Sequence, residues 1–229
     1  MILHLKKSIS DERATEIANS INAFHFKKEQ HVLITGAAMK EVPGAIAGEV
    51  EGFWVFDNDI QLASKKYRSA KRSVSIGKTV IGGESNKTIL IGGPCSVESE
   101  DQIRESAELI KGMGLTTLRG GCYKPRTSPY SFQGMGLDGL KLLAKMRDEY
   151  GLNIITEARD ATHVEEVIEY SDVIQVGAKA MYDQGILRAC AKSSKTVLIK
   201  RGFGTTLKEF VQAAEFVLSG GNENVILCE

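Results

Sequence analysis

The sequence is short of the features that mark specialised classes of protein. Cysteine is scarce: Cys95, Cys122, Cys190 and Cys228 fall in separate segments with no CxxC pair. That excludes zinc-finger spacing and fits reduced thiols better than a disulfide framework. An excess of either charge is missing too, with 29 Lys+Arg against 29 Asp+Glu. No whole-molecule field therefore favours nucleic acid or an acidic membrane surface, and any anion site must be local. No apolar run approaches the ~20 residues of a membrane span. The start, Met1-Ile2-Leu3-His4-Leu5-Lys6-Lys7, places its basic residues after the apolar ones, the reverse of a secretory leader. What remains is an ordinary globular composition, 42% hydrophobic and 25% charged, with the cytoplasm as the expected compartment.

From about Thr88 onward one pattern recurs: a short β-branched run closed by a polar residue, a helix-period segment, then glycine or a turn. Strands are expected to start at Thr88, Thr116, Asn153, Asp172, Thr196 and Asn224. Each is a continuous apolar run of the kind buried on both faces of a parallel sheet. Helix starts are predicted by three capping boxes, Ser99 with Gln102, Thr162 with Glu165 and Thr206 with Glu209. Repeated βα units imply a parallel sheet, in a barrel or a doubly wound layer. Residues 1–62 read instead as a small α+β unit, with strands at Ile2–Lys6, His31–Thr35 and Gly52–Phe56 and a helix from Asp11 to Ala23. Residues 63–87 read as a basic linker followed by a hairpin around Gly77-Lys78, and 88–229 as the βα unit.

In an α/β barrel the site forms at the C-terminal ends of the strands. Here the runs end in Gly92-Gly93-Pro94-Cys95, in Arg119, in Glu157, in Gln175 before Gly177-Ala178-Lys179, in Lys200-Arg201, and in Cys228-Glu229. The densest segment, Arg119 to Ser128, puts Arg119, Lys124 and Arg126 beside Thr127 and Ser128 in a loop shaped by glycine and Pro125. Guanidinium groups bind phosphate and carboxylate in two-point fashion and a lysine adds a compact charge, so a small doubly anionic substrate is the expected ligand. Glu157 reads equally as a carboxylate orienting a lysine or water and as a rim ion-pair partner. His163 reads as a helix-start residue rather than a metal ligand.

Gly92-Gly93-Pro94-Cys95-Ser96-Val97-Glu98, Leu118-Arg119-Gly120-Gly121, Lys124-Pro125-Arg126-Thr127-Ser128-Pro129-Tyr130-Ser131-Phe132-Gln133-Gly134 and Ile226-Leu227-Cys228-Glu229 closely resemble the type I beta 3-deoxy-7-phosphoheptulonate synthases. The resemblance runs from about Thr88 to Glu229. It implies a (β/α)8 TIM-type barrel, present here as its first six strands, behind a ferredoxin-like regulatory domain. It further implies condensation of phosphoenolpyruvate with erythrose 4-phosphate, the first step of the shikimate pathway. Cys95 would ligate a divalent metal such as manganese. Arg119 and Lys124 would hold phosphoenolpyruvate, with Lys124 handling the proton. Pro125, Arg126 and Thr127 would hold the phosphate of erythrose 4-phosphate, and Lys179 and Lys200 the phosphate and carboxylate of phosphoenolpyruvate. An aromatic amino-acid effector and a homotetramer are also implied.

Two departures from that pattern stand out. The sequence ends at the sixth strand, two βα units short of the barrel, so a further arginine and the histidine, glutamate and aspartate implied for the metal site are expected to be missing. Lys179 stands where the family usually has arginine, which keeps the charge and loses the two-pronged grip. The sequence therefore leaves open a non-catalytic protein that binds phosphate anions or an aromatic effector, and, because Lys200 ends a strand, an aldolase acting through a Schiff base.

Overall fold

The computed structural model describes residues 1–229. The front unit is built from β1 (Ile2–Leu5), α1 (Asp11–Ser20), β2 (Phe24–Lys27), β3 (His31–Ile34), a 3-10 turn (Gly44–Glu49) and β4 (Val50–Trp54). These strands form one antiparallel sheet in the order β2-β3-β1-β4. Alternation gives the sheet two apolar faces. Leu3, Leu5 and Leu33 pack on Ala14 and Ile17 of α1, while Ile2, Val32 and Ile34 pack on Phe56 and Leu62. The first helix stops at Ser20, before the expected Ala23, because Asn22 takes a left-handed conformation (φ 50°) that asparagine tolerates better than most residues. Strand β2 was not expected from the sequence.

A hairpin follows, β5 (Ser73–Ile76) and β6 (Thr79–Gly82), turning at Gly77-Lys78 as predicted. The rest alternates: α2 (Glu100–Gly112), β7 (Thr117–Arg119), α3 (Leu137–Tyr150), β8 (Asn153–Ala158), α4 (Val164–Tyr170), β9 (Val173–Val176), α5 (Gln184–Lys192), β10 (Thr196–Lys200), α6 (Leu207–Ser219) and β11 (Val225–Cys228). The sheet is parallel, in the order β11-β10-β9-β8-β7. It has five strands where six were expected. The run Ile89-Leu90-Ile91 is exposed coil, with Leu90 58% accessible, and only a single bridge joins Gly92 to Leu118. Composition favours a strand there, but the run has one neighbour, a strand three residues long, and too few ladder bonds form to extend it.

The two faces of this sheet differ. Leu118, Ile154, Ala158, Ile174, Val176, Val197 and Ile199 join a core with apolar residues of all five helices. On the other face the hairpin covers the strand starts, where Ile76 packs with Ile155, Val173 and Leu198. Further along that second face stand Arg119, Glu157, Gln175 and Lys200, because each lies an even number of residues, or a paired register step, from those apolar positions.

Of the three capping boxes, Thr206 with Glu209 is reciprocal. Ser99 accepts from the Gln102 amide, but the Gln102 side chain accepts from Glu98 instead. The box at Thr162 does not form. Asp160 Oδ1 accepts from both the amide and the hydroxyl of Thr162, and His163, the residue before α4, makes no side-chain cap bond.

The front unit is fastened to α6 and the loop after it. Glu215 accepts from the amides of Gln61 and Ala63, both at 2.6 Å. Glu223 meets Lys28 at 2.6 Å, Arg68 at 3.1 Å and Arg72 at 3.1 Å.

Candidate functional site

The segment after β7 carries the site because its backbone is pinned on both sides. Lys124 N donates to Gln133 O at 2.9 Å and Gly136 N to Cys122 O at 3.0 Å, closing the base of a loop whose tip, Arg126 to Phe132, is exposed. Successive side chains leave that base in different directions. Cys122 enters the core, where burial pushes its thiol up to about 12. Lys124 turns into the site and is 6% exposed.

There Lys124 Nζ donates to Cys95 O at 2.6 Å and lies 3.3 Å from Cys95 Sγ. A Cβ on Gly121 would sit 3.0 Å from that ammonium and 2.9 Å from Cys95 O, so glycine makes the approach possible. The hydrogen bond from Lys124, and then its charge, hold the Cys95 thiol below its ordinary pKa. Arg119 Nη1 donates to Pro94 O at 3.0 Å and to Cys95 O at 2.9 Å. Its other terminal nitrogen is 3.8 Å from Glu157. Glu157, 9% exposed, accepts from Gln175 Nε2 at 2.5 Å. A Cβ on Gly177 would fall 2.2 Å from this carboxylate, so the glycine after β9 gives it room.

The remaining residues singled out in the sequence are distributed as follows. Lys179 Nζ donates to Pro125 O at 2.9 Å and to Thr127 Oγ1 at 3.3 Å, tying the loop after β9 to the loop after β7. Arg126 is exposed, without an ion-pair or side-chain hydrogen-bond partner, and so is available to an incoming anion. Lys200, half-buried at the end of β10, also has no such partner. Arg201 turns away, donating to Thr205 O and pairing with Glu229 at 2.8 Å. The structure thus brings Cys95, Arg119, Lys124 and Glu157 into direct contact and Pro125, Thr127 and Lys179 into a second linked group. Gln175 and the Cys95 carbonyl were not assigned roles from the sequence; an amide ending the strand beside Glu157 was the available signal for the first.

No group of three or more His, Cys, Asp or Glu side chains is placed to hold a metal ion. Cys95 offers one thiolate, which does not make a metal site from the residues present. No helix is long and apolar enough to cross a membrane.

The chain as a whole has known relatives. Residues 63–229 match the DAHP synthetase I family. The chain is 34% identical over its whole length to the phospho-2-dehydro-3-deoxyheptonate aldolase of Thermotoga maritima and spans 70% of that protein. The crystal structure of that DAHP synthase superposes with a TM-score of 0.71 at 33% identity, covering all of this chain and 69% of the other. A 2-dehydro-3-deoxyphosphooctonate aldolase from Geotalea uraniireducens is 32% identical over 69% of this chain and 60% of its own. With the match extending through every strand that presents Arg119, Glu157 and Lys200, the chain is a member of the DAHP synthetase I family.

Proposed function

We propose that this chain is the substrate-binding part of a 3-deoxy-7-phosphoheptulonate synthase, condensing phosphoenolpyruvate with erythrose 4-phosphate and water to give the seven-carbon phosphate and inorganic phosphate. The observation that carries the reading is the buried ammonium of Lys124, joined to Arg119 through one carbonyl, with Arg119 in turn 3.8 Å from the strand-end carboxylate of Glu157. Helices on one face of the sheet and functional groups on the other support an incomplete (β/α)8 barrel. The antiparallel order β2-β3-β1-β4, with one helix and a short 3-10 turn, supports a ferredoxin-like front domain.

In this reading Arg119, Lys124 and Lys200 hold the phosphate and carboxylate of phosphoenolpyruvate, and Arg126 with Thr127 holds the phosphate of the aldehyde. Fixed cations allow two anions to approach that would otherwise repel. The enol carbon forms a bond to the aldehyde carbon, water adds at the carbon bearing the phosphate, and the carbon–oxygen bond to phosphate breaks. Lys124 supplies the proton that the new alkoxide needs, and Glu157, oriented by Gln175, stands near enough to Arg119 to set its direction. The family depends in general on a divalent metal. Cys95 is the candidate ligand that this chain supplies, and the roles given above are those of its own side chains. His4, Trp54 and Tyr67 wall a groove of about 600 Å³ on the front sheet, which supports an aromatic effector. A homotetramer completes the proposal.

Calorimetry with phosphoenolpyruvate and a phosphate-release assay with erythrose 4-phosphate test this. Saturable phosphoenolpyruvate binding that Lys124→Met weakens at least tenfold is expected. Phosphate release that responds to arabinose 5-phosphate and not to erythrose 4-phosphate would move the chain to the octonate chemistry of its other relatives.

A further inference from the structure

Tyr123 occupies the position between the core residue Cys122 and the site residue Lys124, and its surroundings are more specific than packing requires. The side chain is 7% exposed. Its ring stacks on His163, with centroids 4.2 Å apart and planes 9° from parallel. Gly136 also lies close by, where an added Cβ would come within 3.3 Å of the ring. The Tyr123 hydroxyl donates to Glu166 on the first turn of α4. Burial, and then Glu166, raise the phenol pKa, so the hydroxyl keeps its proton and its role as donor.

Helix α4 begins without the predicted Thr162 cap, and His163 at its start makes no side-chain cap bond. His163 stacks on Tyr123 instead. The start of α4 and the base of the loop after β7 therefore position one another, across two consecutive βα units. The loop has few other anchors: its tip is exposed, and beyond the two backbone bonds at its base it is held from the site side by Lys179.

We infer that Tyr123 is a positioning residue: clamped by His163 and Glu166, it fixes the loop base so that Lys124 points at Cys95 and Arg126 stands ready at the rim. The inference rests on the proposed use of Lys124 and Arg126 in binding anions. A ring stacked on His163 with its hydroxyl bound to Glu166 has its orientation fixed, and the next residue inherits it. Removing the hydroxyl alone should be felt in affinity for phosphoenolpyruvate more than in global stability, since the ring stays packed in the core.

Two measurements on the full chain test this. Trypsin cleavage after exposed Arg126 reports loop opening with no ligand present, and calorimetry with phosphoenolpyruvate reports the site. Tyr123→Phe keeps the ring and removes only the hydroxyl. It is expected to speed cleavage and weaken binding by about tenfold each, the change carried by one hydrogen bond to a charged acceptor, with the melting temperature little moved. Glu166→Ala should behave the same way, and Glu166→Gln, which retains an acceptor, should recover most of both. If Tyr123→Phe fails to fold, half-exposed Glu166 carries the test alone. Cleavage and affinity both unchanged in Tyr123→Phe and Glu166→Ala would overturn the inference. Wild-type protein that binds no phosphoenolpyruvate would overturn the functional reading, and the cleavage rates would still decide whether the clamp exists.

Discussion

At the scale of single residues, Cys95 and Lys124 form a thiol–ammonium pair in which the ammonium sets the chemistry of the thiol. The two buried thiols are held protonated, with Cys122 and Cys190 pushed up to about 12 by burial. Cys95 is exposed and drawn toward the thiolate. Alkylation by iodoacetamide at neutral pH should therefore label Cys95 well before Cys122 or Cys190. Lys124→Met removes the hydrogen bond and the charge together, and should slow labelling of Cys95 several-fold, because reactivity follows the thiolate fraction. Peptide mass spectrometry reads both rates, and equal rates in the two proteins would mean that the ammonium does not act on the sulfur. The residue types of the site were legible in advance because strand ends and a Gly- and Pro-shaped loop expose them. Their connections were not. That Lys124 reaches the carbonyl of Cys95, 29 positions away, depends on Gly121 leaving room, which spacing along the chain does not report.

Among the elements, the hairpin of β5 and β6 is the piece whose removal should tell most. Ile76, 2% exposed, fills the start of the functional face against Ile155, Val173 and Leu198, and Thr196 Oγ1 donates to Ser75 O at 3.0 Å. Ile76→Ala should destabilise the fold by about 2–4 kcal/mol. Gly77→Ala strains a turn at φ 55° and brings a Cβ within 2.3 Å of Asn153 Oδ1, and should cost about 1–2 kcal/mol. Urea midpoints at unchanged slope measure both; a midpoint unmoved in Ile76→Ala would show that the hairpin does not seal that face. Strands β8 to β11 could be read from sequence because continuous β-branched runs have no other stable home than a doubly covered sheet. The run at residues 89–91 has the same composition and fails to form a strand, since composition says nothing about how many neighbours a strand finds. Strand β2 escaped notice for the opposite reason: Phe24 is 64% exposed and Lys27 lies outside, so no burial pattern marks it. The Thr162 cap was lost to a local competitor, the carboxylate of Asp160, two residues earlier.

For the whole molecule, two carboxylates on the same helix–loop segment tie the front unit down, and they answer to pH in opposite senses. Burial works against the charge of Glu223, but hydrogen bonds from Lys28 and Arg72 outweigh it and hold the group below its ordinary pKa. Its contribution is present above the unfolded value and is lost as pH falls through the folded one. Burial raises the pKa of Glu215 despite the amides it accepts, so its contribution is present below the unfolded value and fades as pH rises through the folded one. Glu223→Gln should flatten the acid side of the stability profile by about 1 kcal/mol, a magnitude suited to partly screened ion pairs. Thermal melts carried from neutral pH to well below the ordinary glutamate pKa would show it, and a profile parallel to wild type would remove Glu223 from the fastening. The site adds an asymmetry of another kind. Arg119, Lys124, Arg126, Lys179 and Lys200 gather near one end of the parallel sheet with Glu157 as their buried counter-charge, in a chain whose cations and anions balance at 29 each. The remaining surface must then carry the matching surplus of acid, which makes the molecule an electric dipole. Small anions drifting in from solution meet attraction at that end, and dissolved salt weakens the guidance.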